Sequence, residues 1–150
     1  MTRAMILTLL ATLPLSACQV AAAQSAPSAP FSPVIEANGV LYIAGHLGFE
    51  AESRKFPNNI TDQTRLTLEN IGTTLASLKA DHADIVRCQV FMTEIEGFQE
   101  MNAAYKAFFP KNPPARTTVE IAGLAAPDAL IEIECTAVRG HGEKMELENG

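Results

Sequence analysis

The chain lacks several features that would assign it to a common functional class. Its three Cys and three His show no HExxH or CxxC spacing, so no metal site is expected. It has no phosphate-binding loop, no G-x-S-x-G motif and no internal repeat. Basic residues are scarce, with 11 Lys and Arg against 17 Asp and Glu, which gives a formal net charge of −6. Because a negative surface repels phosphate backbones, a nucleic-acid partner is not expected.

The sequence also lacks an apolar run long enough to cross a bilayer as a helix. The run from Ala4 to Leu15 is too short, and its position after Arg3 is typical of an export signal. It ends in Leu15-Ser16-Ala17-Cys18, which resembles the bacterial lipobox. This motif predicts a signal peptide over residues 1–17 and a lipid anchor to a membrane at Cys18. The alternative is cleavage after Ala21-Ala22-Ala23, with loss of Cys18. Both alternatives predict an exported, periplasmic protein.

The rest of the chain has the composition of one globular domain. Its hydrophobic content of 47% and its length suit a single core. Residues 18–30 contain small residues, Ser and Pro without a periodic apolar face, which predicts a flexible tether. We expect the folded domain at residues 31–140 and a polar tail at residues 141–150.

Hydrophobic periodicity predicts alternating strands and helices. Asn38-Gly39 separates two β-rich runs and predicts a hairpin. The region Ile60 to Ala80 has apolar residues three and four apart, which indicates a long helix with Asn59 or Thr61 as its N-cap. The further predicted elements are a strand at Ile85–Met92, a helix at Phe98–Phe109 and strands at Arg116–Ile121 and Leu130–Val138. This order predicts an α+β fold with a mixed sheet and two helices packed on one face.

The last two predicted strands each carry charges on one face. Alternation places Arg116, Thr118 and Glu120 on one face of the first of these strands. On the second strand it places Glu132 and Glu134 on the face opposite the apolar residues. We expect these charged faces to lie on the side of the sheet away from the helices. They would then face water, as one side of an antiparallel sheet commonly does.

Two cysteines fall on faces that the pattern assigns to the core. The simpler interpretation of Cys88 and Cys135 is a pair of buried apolar side chains. A disulfide between them is the alternative, because exported proteins permit it if the two strands are neighbours.

Several segments of the chain resemble the RidA/YjgF family in order and spacing. The most specific are the N-x-x-Y-x-x-F-F helix from Asn102 to Phe109, the P-A-R-T-T-V strand from Pro114, and Ile131-Glu132-Ile133-Glu134. The resemblance extends from about Pro30 to Arg139. It implies a chorismate-mutase-like α+β fold and a homotrimer, with clefts between the subunits that bind small carboxylates.

The resemblance also implies an activity and a set of site residues. RidA-like enzymes hydrolyse reactive enamines and imines, such as 2-aminoacrylate and related 2-imino acids, to 2-oxo acids and ammonia without a cofactor. By motif position, Arg116 would hold the substrate carboxylate and Glu132 would activate the attacking water. The positions implied to contact substrate also include Thr118, Asn102, Phe31 and Ala44.

Some positions differ from the pattern common among the deaminases of this family. Phe31 stands where Tyr is common, and Ala44-Gly45-His46 stands where Ser-Gly-Gln is common. A protein that binds or senses a small carboxylate without turnover is therefore the alternative function. Family members described as endoribonucleases suggest a further alternative, which the negative charge and the export signal oppose.

Overall fold

The computed structural model of this chain describes residues 30–142, so the predicted signal peptide, Cys18 and most of the tether and tail lie outside the described residues. Five strands and two α-helices follow one another in the order ββαβαββ. They are β1 (Val34–Ala37), β2 (Val40–Leu47), α1 (Ile60–Ser77), β3 (Ile85–Met92), α2 (Phe98–Phe108), β4 (Ala115–Glu120) and β5 (Ile131–Val138). The predicted α+β class is confirmed. Neither α-helix in this part of the chain has the length and hydropathy needed to span a membrane.

All five strands form one mixed sheet in the order β1-β2-β5-β3-β4. The β3–β4 pair is parallel, and the other three pairs are antiparallel. A parallel pair needs a crossover, and α2 provides it between β3 and β4. Although β5 is the last strand in the sequence, it lies in the centre of the sheet, while β4 is an edge strand.

The hairpin and the long helix begin where the sequence predicts. Asn38 and Gly39 both have positive φ angles, 52° and 78°, which a tight turn of this type requires. Of the two candidate N-caps, Asn59 is the one used, since its side chain accepts a hydrogen bond from the backbone N–H of Asp62.

Both helices pack on one face of the sheet, which we call the helix face. The core there contains residues from both helices and the three central strands, including Leu41, Ile43, Leu68, Ile71, Leu75, Cys88, Val90, Met101, Tyr105, Ile131, Ile133 and Cys135. The opposite side, which we call the open face, presents Tyr42, Gln89, Phe91, Glu132, Glu134 and Thr136, none of them buried. Antiparallel sheets commonly have one packed and one uncovered face.

Cys88 and Cys135 form a disulfide bond on the helix face. They face each other across β3 and β5, and their Cα atoms are 4.1 Å apart. Of the two interpretations of these cysteines, the structure supports the disulfide.

Candidate active site

Arg116 lies on β4 and extends over α2. Its Nη2 donates a hydrogen bond of 2.5 Å to Asn102 Oδ1, and its Nη1 is 3.8 Å from the sulfur of Met101. The guanidinium also lies over two aromatic rings, 4.6 Å from the ring centroid of Tyr105 and 5.8 Å from that of Phe98. An arginine is attracted to aromatic faces at these distances. The N-x-x-Y spacing places Asn102 and Tyr105 one helical turn apart, so both reach the same guanidinium.

The charge of Arg116 has no acidic partner among residues 30–142. The ion pairs in this part of the chain join Arg65 to Asp62 and Glu69, and Arg139 to Glu36. Glu120, on the same strand as Arg116, accepts a hydrogen bond from the backbone N–H of Ile95 instead. A guanidinium has five N–H donors, so Arg116 retains donors for an anion.

Two buried hydroxyl groups lie on α2 and β4, the two elements between which Arg116 extends. Tyr105 OH and Thr118 Oγ1 are buried and have no hydrogen-bond partner within the described residues. Burial raises the pKa of Tyr105 to about 12, although the charge of Arg116 opposes the shift. The Tyr105 hydroxyl is therefore protonated and uncharged at physiological pH, and its ring lies against the Arg116 guanidinium. Thr118 shares the helix face with Arg116, since residues two apart on a strand point the same way.

Glu132 lies on β5 and points to the open face. Its neighbours along the strand, Ile131 and Ile133, are fully buried on the helix face, so alternation directs Glu132 the other way. A Cβ atom on Gly45 would overlap Glu132 Oε1; the glycine therefore provides the space that the carboxyl occupies. Burial raises the pKa of Glu132, the negative charge of Glu134 raises it further, and His46 opposes both.

The expectation that Arg116 lies on the same uncovered face as the acidic residues is wrong. In the parallel β3–β4 pair, Arg116 is the register partner of Cys88, which is fully buried on the helix face. Val119, not Arg116, belongs to the open face, as its register partner is Phe91. Arg116 and Glu132 therefore project from opposite sides of the sheet. Their strands are separated by β3, about 10 Å from backbone to backbone.

The remaining candidates divide between these two sides. Asn102 and Thr118 accompany Arg116. Ala44 lies beside Glu132's strand, and its N–H donates a 3.0 Å hydrogen bond to Pro33 O, which brings the segment containing Phe31 alongside. The side chain of Phe31 is 65% exposed. The candidate residues of one chain thus fall into two groups, which we name the arginine half-site (Arg116, Asn102, Thr118) and the glutamate half-site (Glu132, Ala44, Phe31).

Sequence reasoning missed three residues that shape these half-sites. Tyr105 supports Arg116, Gly45 makes room for Glu132, and His46 bonds to Ala44 O. The helix motif containing Tyr105 carried a signal, but it did not show which side chain the ring would contact. Across residues 30–142, no cluster of three or more His, Cys, Asp or Glu is placed to hold a metal ion.

Comparisons with known proteins agree with this architecture. Residues 22–139 match a family model described as endoribonuclease L-PSP. The chain is 35% identical over 122 residues to Reactive Intermediate Deaminase A, chloroplastic, from Arabidopsis thaliana. That match covers 79% of this chain, and the chain spans 65% of the length of the curated relative.

Solved structures similar to this chain include two from E. coli. The YjgF gene product has a TM-score of 0.70 and 30% identity, with 73% of this chain and 88% of that chain covered. TdcF with bound serine also has a TM-score of 0.70, at 28% identity, with 75% of this chain and 91% of that chain covered. The fold is thus that of a known group of proteins.

Proposed function

This chain belongs to the RidA/YjgF family, and on that premise we propose that it hydrolyses 2-imino acids to 2-oxo acids and ammonia. The name of the Arabidopsis relative, a reactive intermediate deaminase, supports a deaminase role. The family model is described as an endoribonuclease, but a net charge of −6 opposes RNA binding, which depends on neutralising phosphates with basic residues. The proposal includes no cofactor.

The environment of Arg116 is the observation on which the proposal depends. The guanidinium is partly buried, held by neutral groups and without a carboxylate partner among the described residues. A planar guanidinium can bind a carboxylate through two parallel hydrogen bonds, which lysine cannot reproduce. The carboxylate of a 2-imino acid is such a group. TdcF, a structural relative, was solved with bound serine, which also carries a carboxylate.

A complete site requires two copies of the chain. Because the arginine and glutamate half-sites project from opposite sides of one sheet, they can meet only where one copy packs against another. The open face and its edge carry large apolar side chains that are unusually exposed: Ile35 at 53%, Tyr42 at 54% and Val119 at 40%. We propose that these are covered in a homotrimer. Each cleft would then combine Arg116 of one copy with Glu132 of the next.

The proposed chemistry needs only orientation and one general base. Water adds to the C=N carbon of the protonated imine, and its proton passes to the Glu132 carboxylate. Glu132 then returns this proton to the amino group of the carbinolamine. The C–N bond breaks as the C=O bond of the 2-oxo acid forms, and the departing ammonia takes the hydroxyl proton and leaves as ammonium. Holding the carboxylate at Arg116 and the water at Glu132 makes the addition effectively unimolecular. An enamine such as 2-aminoacrylate enters this route after protonation at its terminal carbon.

The cellular setting is also part of the proposal. We propose that the protein is exported and anchored at Cys18, as the predicted leader and lipobox indicate. The Cys88–Cys135 disulfide supports this setting, since such bonds persist in oxidising compartments. Imines would then come from amino-acid oxidases or dehydrogenases acting there.

An oxidase-coupled assay tests the function. An amino-acid oxidase generates 2-iminopropanoate or 2-iminobutanoate, and the release of 2-oxo acid is followed with the purified protein. Arg116→Ala should abolish the acceleration, and Glu132→Gln should reduce it by about 10²- to 10⁴-fold. Arg65→Lys and Glu100→Gln, both at exposed helical positions, are the controls and should retain most of the rate.

Two results would contradict the enzyme proposal. Equal rates of 2-oxo acid release with the wild-type protein and with no protein would show that the protein does not catalyse this hydrolysis. Tight binding of a small carboxylate that survives Glu132→Gln, together with no turnover, would instead indicate a binding or sensing role.

A further inference from the structure

His46 lies at an irregularity in β2, beside the glutamate half-site. The pairing of β2 with β5 shifts register between Ile43 and His46, so Ala44 and Gly45 form a bulge with no register partner on β5. His46 is the register partner of Ile133, which is fully buried. The imidazole therefore extends from the helix face, whereas the space filled by Glu132 lies on the other side of the bulge.

Both ring nitrogens of His46 have defined partners. Nδ1 is 2.7 Å from the carbonyl oxygen of Ala44, which can only accept, so Nδ1 carries a proton. Nε2 is 2.8 Å from Thr74 Oγ1, and in the neutral ring it accepts from that hydroxyl. The imidazole thus connects α1, which contains Thr74, to the bulge.

The other side of the same bulge is the space in which Glu132 lies. Gly45 has no room for a Cβ atom because Glu132 Oε1 occupies that position. Any movement of the Ala44–Gly45 backbone would therefore change where the carboxyl can lie. The N–H of Ala44 is tied to Pro33 O, but the carbonyl of Ala44 is held by His46.

We propose that His46 is a positioning residue, which fixes the Ala44–Gly45 bulge from the helix face and thereby orients the Glu132 carboxyl. The part of this inference that concerns catalysis rests on the proposed function of Glu132. The part that concerns the bulge does not. The charged and titratable groups that influence the Glu132 carboxyl are Glu134 and His46 itself.

A double-mutant cycle between His46 and Glu132 tests the catalytic part. His46→Ala should lower kcat by about tenfold, less than the 10²- to 10⁴-fold expected for losing the base itself. The KM should change little because the arginine half-site is untouched. In a Glu132→Gln background, His46→Ala should have no further effect on kcat, since the two residues act as one unit.

His46→Asn serves as the conservative variant. Its amide nitrogen can take the place of Nδ1 and donate to Ala44 O, so this variant should recover most of the activity. His82→Ala, a histidine remote from the bulge, is the control. If His46→Ala impairs folding, Thr74→Val removes only the α1 partner and should lower kcat in the same direction by a smaller factor.

Amide hydrogen exchange measures the bulge without any assay of activity. His46→Ala should accelerate exchange at residues 44–46 by tenfold or more relative to the wild type, while exchange in α2 stays unchanged. Unchanged exchange at the bulge in His46→Ala would overturn the proposal. An equal loss of kcat from His46→Ala in the wild-type and Glu132→Gln backgrounds would overturn it as well. If no 2-imino acid is turned over by the wild type, the proposed function fails, and the exchange result alone decides the role of His46.

Discussion

At the scale of single residues, Gly45 controls the position of Glu132. Gly45→Ala would introduce a Cβ atom where Glu132 Oε1 lies, so the carboxyl must move away from its present position. We expect a loss of deaminase rate approaching that of Glu132→Gln, about 10²-fold or more, with the far-UV circular dichroism spectrum unchanged. Gly123→Ala is the control, because a Cβ atom there meets nothing within 4 Å. Full activity in Gly45→Ala would show that the rate does not depend on this carboxyl position.

The raised pKa of Glu132 predicts the acid limb of the pH–rate profile. Burial and the charge of Glu134 both raise this pKa, so Glu132, as the proposed base, should lose its ionised form at a higher pH than an ordinary glutamate does. Glu134→Gln removes one of the two causes and should shift the acid limb of kcat to lower pH. Glu100→Gln, on an exposed helical position, should leave the limb in place. A limb that stays unchanged in Glu134→Gln would identify a different titrating group.

The same shift predicts a pH dependence of stability. A carboxyl whose pKa is raised on folding binds its proton more tightly in the folded state. Its contribution to stability is therefore complete below the pKa of the unfolded chain and is lost as the pH rises through the folded pKa. The free energy of unfolding of the wild type should accordingly fall relative to that of Glu132→Gln as the pH increases over this interval. Urea titrations at several pH values measure the difference.

At the scale of secondary-structure elements, the disulfide joins two central strands. Cys88 and Cys135 are 47 residues apart in sequence, and the bond between them closes a loop that contains α2 and β4. Disulfides that close loops of this size typically stabilise a domain by about 2–4 kcal/mol. The Cys88→Ala/Cys135→Ala variant should lose about that much free energy of unfolding. The free energy of unfolding of this variant should not change with reductant. That of the wild type should fall to a similar value when the disulfide is reduced.

The order of elements was predictable because its signals are local. The alternation in β3, the apolar spacing of α1 and the Asn38-Gly39 turn each involve side chains within a few residues of one another, and all three elements occur where predicted. The identity of the strand neighbours was not predictable in this way. Cys88 could be assigned to a core face, but only the β3–β5 pairing shows that Cys135 is its partner.

At the scale of the whole molecule, a shared site predicts complementation between inactive variants. Arg116→Ala and Glu132→Gln disable different half-sites, and each should be inactive when assembled alone. When equal amounts are unfolded together and reassembled as trimers, a cleft is intact if Arg116 comes from one variant and Glu132 from the other. Random mixing should then restore about one quarter of the wild-type activity.

A control mixture distinguishes complementation from simple refolding. Arg116→Ala mixed with Arg116→Lys carries no intact arginine half-site and should remain far below this level. Failure of the first mixture to regain activity, while the wild type refolds fully under the same conditions, would mean that both half-sites act within one chain. Light scattering on each sample should give a mass three times that of the chain.

The amino-acid sequence by itself determined the elements, the family resemblance and the candidacy of Arg116 and Glu132, because periodicity and motif spacing are properties of short segments. Only the tertiary structure decided on which side of the sheet Arg116 lies. That side is set by the parallel register of β4 on β3, a contact between segments more than twenty residues apart, and neither strand encodes it alone. For the same reason, the space at Gly45 and the link through His46 became visible only once β2, β5 and α1 were packed together.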